Sequence, residues 1–160
     1  MTTTPAIIRA SIEARIAALV PTVHAGDLFR LHNHELALPE WAVANAGSCT
    51  RRFSVRESGE IEPPEVTDGL TEGVWQAFAV LVAYPKTWRR GDRQLVDLDT
   101  AIGVDRLQIV KTVGTSGFAS LATTTQAATV ITVSESREDL GPVVLGVVNL
   151  RAFYYRSIAP

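Results

Sequence analysis

Residues 73–85 read GVWQAFAVLVAYP, and no other stretch constrains the fold as much. Val74, Gln76, Phe78, Val80 and Val82 alternate with Trp75, Ala77, Ala79, Leu81 and Ala83. Successive strand side chains point to opposite faces, so both faces of this strand are largely apolar. Such a strand sits at the centre of a sheet or is covered on both sides. Pro85 ends it, having no N–H to give to the ladder.

Three further strands follow from alternation. Arg51 to Glu57 puts Phe53 and Val55 on one side and Arg52, Ser54 and Arg56 on the other, a half-buried strand. Thr129 to Glu135 alternates in part, and Gly141-Pro142 marks a turn. Val143 to Arg156 has non-polar residues at every even position from Val144 to Tyr154, while its odd positions include Asn149, Arg151 and Phe153. The even face belongs to the core and the odd face meets water or a neighbour. Val23 to Leu31 is a candidate fifth strand. LALPEW then breaks regular structure at Pro39, and residues 44–48 read as a turn.

Two helices carry the 3.6-residue period. Thr4 caps the first, Pro5 takes its first turn, and Ile8, Ile12, Ile16 and Leu19 form one apolar face. Pro21 ends it. The second runs from Arg93 to Lys111, with Asp92 as its cap and Leu95, Leu98, Ile102, Ile109 and Val110 on one face. Arg106 interrupts that face, and Gly103 weakens the helix by about 1 kcal/mol relative to alanine. Residues 112–128, rich in small and hydroxyl side chains, read as a flexible loop. Strands in tandem pairs with two helices predict one domain over residues 1–160. Its fold is α+β, a mainly antiparallel sheet of four or five strands with two helices packed on one face.

Composition narrows the function. The chain has 160 residues, 46% hydrophobic and 20% charged, enough for a core without disulfides or metals. A formal net charge of −2 gives no bulk attraction to nucleic acid or membrane. A lone cysteine, Cys49, fits a reducing compartment. The N-terminal stretch carries Arg9, Glu13 and Arg15 within its apolar pattern, unlike a signal peptide, and no apolar run has the length of a membrane span.

The chemically suggestive motifs are few. LHNHE places His32 and His34 two apart, on one face if the segment is a strand, with His24 and Asp27 upstream. A metal site needs several such side chains converging on one ion, and neither an HExxH pattern nor a cysteine cluster accompanies them. The plainer reading is a polar edge with titratable surface histidines. GTSGF, residues 114–118, lacks the strand-to-helix setting of a serine nucleophile turn. No phosphate-binding glycine loop is present. Two charged segments stand out instead. Residues 57–72 hold Glu57, Glu60, Glu62, Glu65, Asp68 and Glu72 with no basic residue, a long acidic hairpin loop. KTWRRGDR, residues 86–93, is a basic turn with Trp88 beside Lys86, Arg89, Arg90 and Arg93. It suits phosphates, or the acidic loop of a neighbouring copy; opposite-sign loops on one chain favour head-to-tail rings.

The order of these parts resembles the tail terminator (tail completion) proteins of long-tailed bacteriophages. The likeness runs from IIRASIEARIAAL through an acidic loop into EGVWQAFAVLVAYP, then a helix, then LGVVNLRAFYYR at the end. LHNHELALPEW and residues 112–128 have no counterpart in it. The resemblance implies a non-enzymatic virion protein, assembled in the host cytoplasm, without cofactor or metal. It implies a homo-hexameric ring on the last ring of the tail tube, which ends tube growth and meets the head connector. Its partners would be its own copies, the tail tube protein and the connector or neck protein, with DNA only passing through and no membrane. Another neck or head-completion protein is the alternative. A small metal-dependent hydrolase using His32, His34 and Asp27, and a nucleic-acid-binding accessory protein, are the other two classes. The expected interface residues are Glu60, Glu62, Glu65 and Asp68 in the loop, Lys86, Arg89, Arg90 and Arg93 in the turn, and Arg151 on the last strand. Reversing the charge of Arg89 and Arg90 should then lower ring assembly and virion yield; unchanged yield in a complementation assay would count against that contact.

Overall fold

The computed structural model of the chain describes residues 4–61, 65–66, 69, 71–87, 98–113, 119–122 and 127–158. Three helices occur among them: α1 (Pro5–Ala17), α2 (Leu38–Ala44) and α3 (Leu98–Val113). The strands are β1 (Arg30–Leu31), β2 (Arg52–Glu60), β3 (Glu65–Val66), β4 (Thr71–Pro85), β5 (Ala119–Ala122), β6 (Ala127–Asp139) and β7 (Val143–Ser157). They form one sheet in the order β1-β2-β4-β7-β6-β5, with β3 also paired to β4. Only β1 with β2 is parallel. The fold is α+β and the sheet mainly antiparallel, as the tandem strand pairs predicted.

The apolar alternation of β4 has the expected consequence. β4 lies between β2 and β7, and all fifteen of its residues pair with β7, from Thr71 opposite Ser157 to Pro85 opposite Val143. Its even face enters the main core. There Val74, Phe78, Val80, Val82 and Tyr84 meet Val144, Val148, Leu150 and Tyr154 of β7. The stripe Ile8, Ile12 and Ile16 of α1 and the residues Ala101, Ile102, Ile109 and Val113 of α3 close that core. Thr4 caps α1 by accepting from the Ile7 amide, and Pro5 opens its first turn. The second face of the sheet carries a smaller core of Leu38, Ala42 and Cys49 against Leu81, Ala83, Val143 and Leu145.

Three local expectations need correction. LALPEW does not break the chain: it opens α2, because proline in the first helical turn loses no hydrogen bond. Residues 112–128 are not one loop: α3 continues to Val113, and Ala119–Ala122 pairs with Ala127–Val130. Of Val23 to Leu31 only Arg30 and Leu31 form a strand. Trp88, Asp92, Leu95 and Gly114–Phe118 lie outside the described residues.

Two bulges redirect charges. In β6 the pairing passes from Thr132 opposite Leu150 to Ser134 opposite Asn149, leaving Val133 as the extra residue, 49% exposed. Beyond it the odd-numbered residues turn toward α3, where Glu135 pairs with Arg106 and Arg137 with Asp99. In β2 the bulge lies between Glu57 and Gly59, with Gly59 at φ +96°. Glu57, just before it, follows Phe53 and Val55 onto the core face and meets Arg9 of α1, and the extra residue returns Glu60 to that side, beside Arg156.

Two glycines should respond oppositely to alanine. A Cβ at Gly103 meets no heavy atom within 4 Å, so Gly103→Ala should raise stability by about 0.5–1 kcal/mol. A Cβ at Gly73 would stand 2.7 Å from Phe153 Cζ, so Gly73→Ala should cost roughly 1–3 kcal/mol. Urea unfolding midpoints of the two variants measure both effects.

Candidate functional site

The most buried charge is Arg51, which with Asp105 has no solvent exposure. Arginine offers five N–H donors in a planar fork. Nε and Nη2 hold the two carboxylate oxygens of Asp105 at 2.6 and 3.1 Å. Nη1 donates to the carbonyls of His24 (3.1 Å) and Asp27 (3.0 Å), and Nη2 to that of Val23. The Tyr84 hydroxyl donates to Asp105 Oδ2 at 3.0 Å. Phe29 lies 5.7 Å from the guanidinium carbon. Burial pushes the Asp105 carboxyl up from its ordinary value, and the Arg51 charge and hydrogen bond pull it back. Burial, and then the Asp105 charge, drive the Tyr84 phenol well above its ordinary value. Among the described residues both non-glycine positions at positive φ, Arg51 (+36°) and His24 (+54°), belong to this cluster. Such strain costs on the order of 1–3 kcal/mol per residue and persists only where many bonds hold it. With every donor spent and no exposure, the cluster is an anchor rather than a place for substrate.

The histidines have backbone partners. His32 Nε2 lies 2.7 Å from the Leu36 carbonyl, and His34 Nδ1 accepts from the Leu36 amide at 3.1 Å. The His32 ring packs on Trp41 of α2, whose indole also carries Arg52 at 4.0 Å. The segment is thus the lead-in to α2. Among the described residues no three His, Cys, Asp or Glu side chains stand close enough to share an ion, so His32, His34 and Asp27 do not converge. A cavity of about 270 Å³ lies between α3 and the sheet, lined by Tyr84, Ile102, Gly146 and Val148 and by the Arg106–Glu135 and Arg137–Asp99 pairs.

The expected interface residues fall in different places. Glu60 meets Arg156 Nη1 at 2.5 Å, and Arg156 also binds Glu72, its register partner on β4. Lys86 binds Asp139 at 2.7 Å. Glu60 and Lys86 are therefore engaged within the chain, at opposite ends of β4, about 30 Å apart at 3.3 Å per residue. Glu65 contributes a β3 backbone position opposite Gly73. Glu62, Asp68, Arg89, Arg90 and Arg93 lie outside the described residues.

Arg151 is placed differently. β4 and β7 each have fifteen residues, about 50 Å of strand, while the seven-residue α2 is about 10 Å long. α2 covers the second face only at the end holding Leu81, Ala83, Val143 and Leu145. At the other end no described helix lies on this face. Trp75, Phe153 and Tyr155 form a row there with ring centroids 5.1 Å apart at each step, and Tyr155 is 44% exposed. Arg151 stands opposite Ala77 on one side of β4 and Arg56 opposite Ala79 on the other. Neither arginine pairs with an acid among the described residues. This half-face, aromatic and cationic, is the candidate site, and its geometry suits a protein surface rather than a small molecule. No helix among the described residues is long and apolar enough to cross a membrane. No protein-family model matches the chain, and no curated protein matches it either.

Asp105→Asn should cost roughly 3–5 kcal/mol, the penalty for leaving the buried Arg51 charge unpaired. Arg51→Met with Asp105→Leu removes both charges but strips donors from three carbonyls, so it should stay about 1–3 kcal/mol below wild type. Chemical denaturation reads both; a double variant as stable as wild type would mean that water serves those carbonyls.

Proposed function

We propose that the chain is a structural subunit of a ring at the head-proximal end of a long phage tail, which ends tube growth and joins the tail to the head connector. The observation that carries this reading is the half of the second sheet face on which no described helix lies. Trp75, Phe153 and Tyr155 lie on strands far longer than the helix beside them, flanked by Arg56 and Arg151. An aromatic patch with Tyr155 44% exposed suits a contact surface. The layout of helix, acidic hairpin, two-faced strand, helix and final long strand supports the same reading. Asp105 and Tyr84, both pushed up by burial, are spent on the Arg51 anchor.

The metal-hydrolase reading loses its support, since the histidines bind the backbone of Leu36. The neck-protein reading shares that face and differs in symmetry. Electron microscopy of the purified chain mixed with tail tubes separates these readings. A six-fold ring seated at one tube end, with tube growth arrested, is the expected result. A twelve-fold ring that ignores tubes would move the assignment to the neck, and no ring on tubes or alone would overturn a ring role.

A further inference from the structure

α3 and the sheet do not meet along their whole length. The cavity of about 270 Å³ between them is bounded by Tyr84, Ile102, Ile109, Gly146 and Val148. Packed interiors hold few voids larger than a water molecule, so one of this size needs a cause. Two glycines supply it. On the core face of β7 the even positions 144, 148, 150, 152 and 154 all carry side chains, and Gly146 does not. On α3, Asp99, Gly103 and Arg106 share one flank, at spacings of four and three residues. That flank faces Arg137 and Glu135 of β6, which the Val133 bulge turns toward the helix and which stand opposite Gly146 and Val148. The pairs Asp99–Arg137 and Arg106–Glu135 therefore frame a mouth, roughly 10 Å wide along the helix and about 7 Å along the strand. Gly103 sits midway along it, where a Cβ would meet no heavy atom within 4 Å.

We infer that this cavity is a binding site for a small, uncharged ring compound of the size of indole. Volume sets the size. A cavity of about 150 Å³ with apolar walls accepts benzene, so one of about 270 Å³ accepts a bicyclic ring of roughly nine or ten heavy atoms. The walls set the polarity. The Tyr84 hydroxyl is taken by Asp105, and the isoleucines, Val148 and the bare Gly146 backbone give a ring apolar contact and water few partners. The mouth sets the charge. Asp99, Arg137, Glu135 and Arg106 alternate in sign around it and sum to zero, so an ion of either sign gains no net attraction and must compete with a formed pair. A rigid ring also gives up fewer rotors on entry than a chain of equal size. Bound there, the compound bridges α3 to β4 and β7 and stabilises the folded chain by mass action. The inference rests on the cavity alone and is independent of the ring reading.

Indole added to the full chain is the probe. Isothermal titration should give one site per chain with a Kd of roughly 0.1–1 mM. Nuclear Overhauser contacts should run from the indole protons to the methyl groups of Ile102, Ile109 and Val148. Gly103→Leu fills the mouth from the helix and should weaken binding at least roughly tenfold. Gly146→Ala raises the floor, its Cβ standing 3.4 Å from Tyr84 Cε2, and should weaken binding at least roughly threefold. Circular dichroism checks that each variant folds, and either one decides if the other does not. The acetate-bearing and ethylamine-bearing derivatives of indole, anionic and cationic, should bind no more tightly than indole itself. No binding at several millimolar indole would overturn the inference. So would contacts confined to Trp75, Phe153 and Tyr155, or undiminished binding by the folded variants. A charged derivative that binds roughly tenfold more tightly would overturn the uncharged class.

Discussion

The Arg51 fork is the interaction on which the rest of the architecture depends. Asp105 belongs to α3, Tyr84 to β4, and the three carbonyls to the irregular stretch between α1 and β1. A buried backbone without helix or ladder bonds must find partners elsewhere. Here one guanidinium supplies them, and its charge is neutralised by the helix that crosses the same sheet. The ionic part alone does not explain its presence, since buried ion pairs repay little more than their desolvation. The carbonyls do: an apolar residue at position 51 would fill the volume and leave three acceptors unserved.

That anchor holds the helices over one end and one face of a sheet that outruns them. Strands of about 50 Å cannot be roofed by helices of 13 and 16 residues, about 20 and 24 Å long, and still less by one of seven. The excess length is managed by chemistry suited to each surface. On the helix-bearing face Arg156 reaches across strands to Glu60 and Glu72, closing that end with charges. On the other face the corresponding end is left aromatic, with Gly73 omitting its side chain so that the Phe153 ring can lie beside it. The asymmetry is built by residue choice at alternate positions of the same two strands.

How much of this was legible follows from the range of the interactions. β4, β7 and α1 were readable because their periods are local, and the core face of β7 followed from parity alone. α2 was not, since Pro39 in a short polar context looks the same whether it opens a helix or breaks a strand, and seven residues give no helical period. β5 was hidden for a different reason: small and hydroxyl residues become a strand there through pairing with β6, a tertiary effect. Asp105 was passed over because it reads as an ordinary polar position of an amphipathic helix, while its partner lies 54 residues away. The bulges matter most for charges. Strict alternation through Val133 would have aimed Thr132, Ser134 and Ser136 at α3, and only the extra residue turns Glu135 and Arg137 there.

Among the described residues the candidate site lies on a sheet face rather than in the charged segments. Charge runs looked functional in the sequence because their partners are distant along the chain. Glu60 waits for Arg156 and Lys86 for Asp139, and each is served at home. Arg151 came from a weaker signal, one polar position on the odd side of a long strand, yet no acid among the described residues pairs with it, on a surface that α2 is too short to reach. A charge is available to a partner when the fold has not already spent it. By that criterion Arg151, next to Phe153 on the same face of β7, is the described charge best placed to choose what meets the aromatic row.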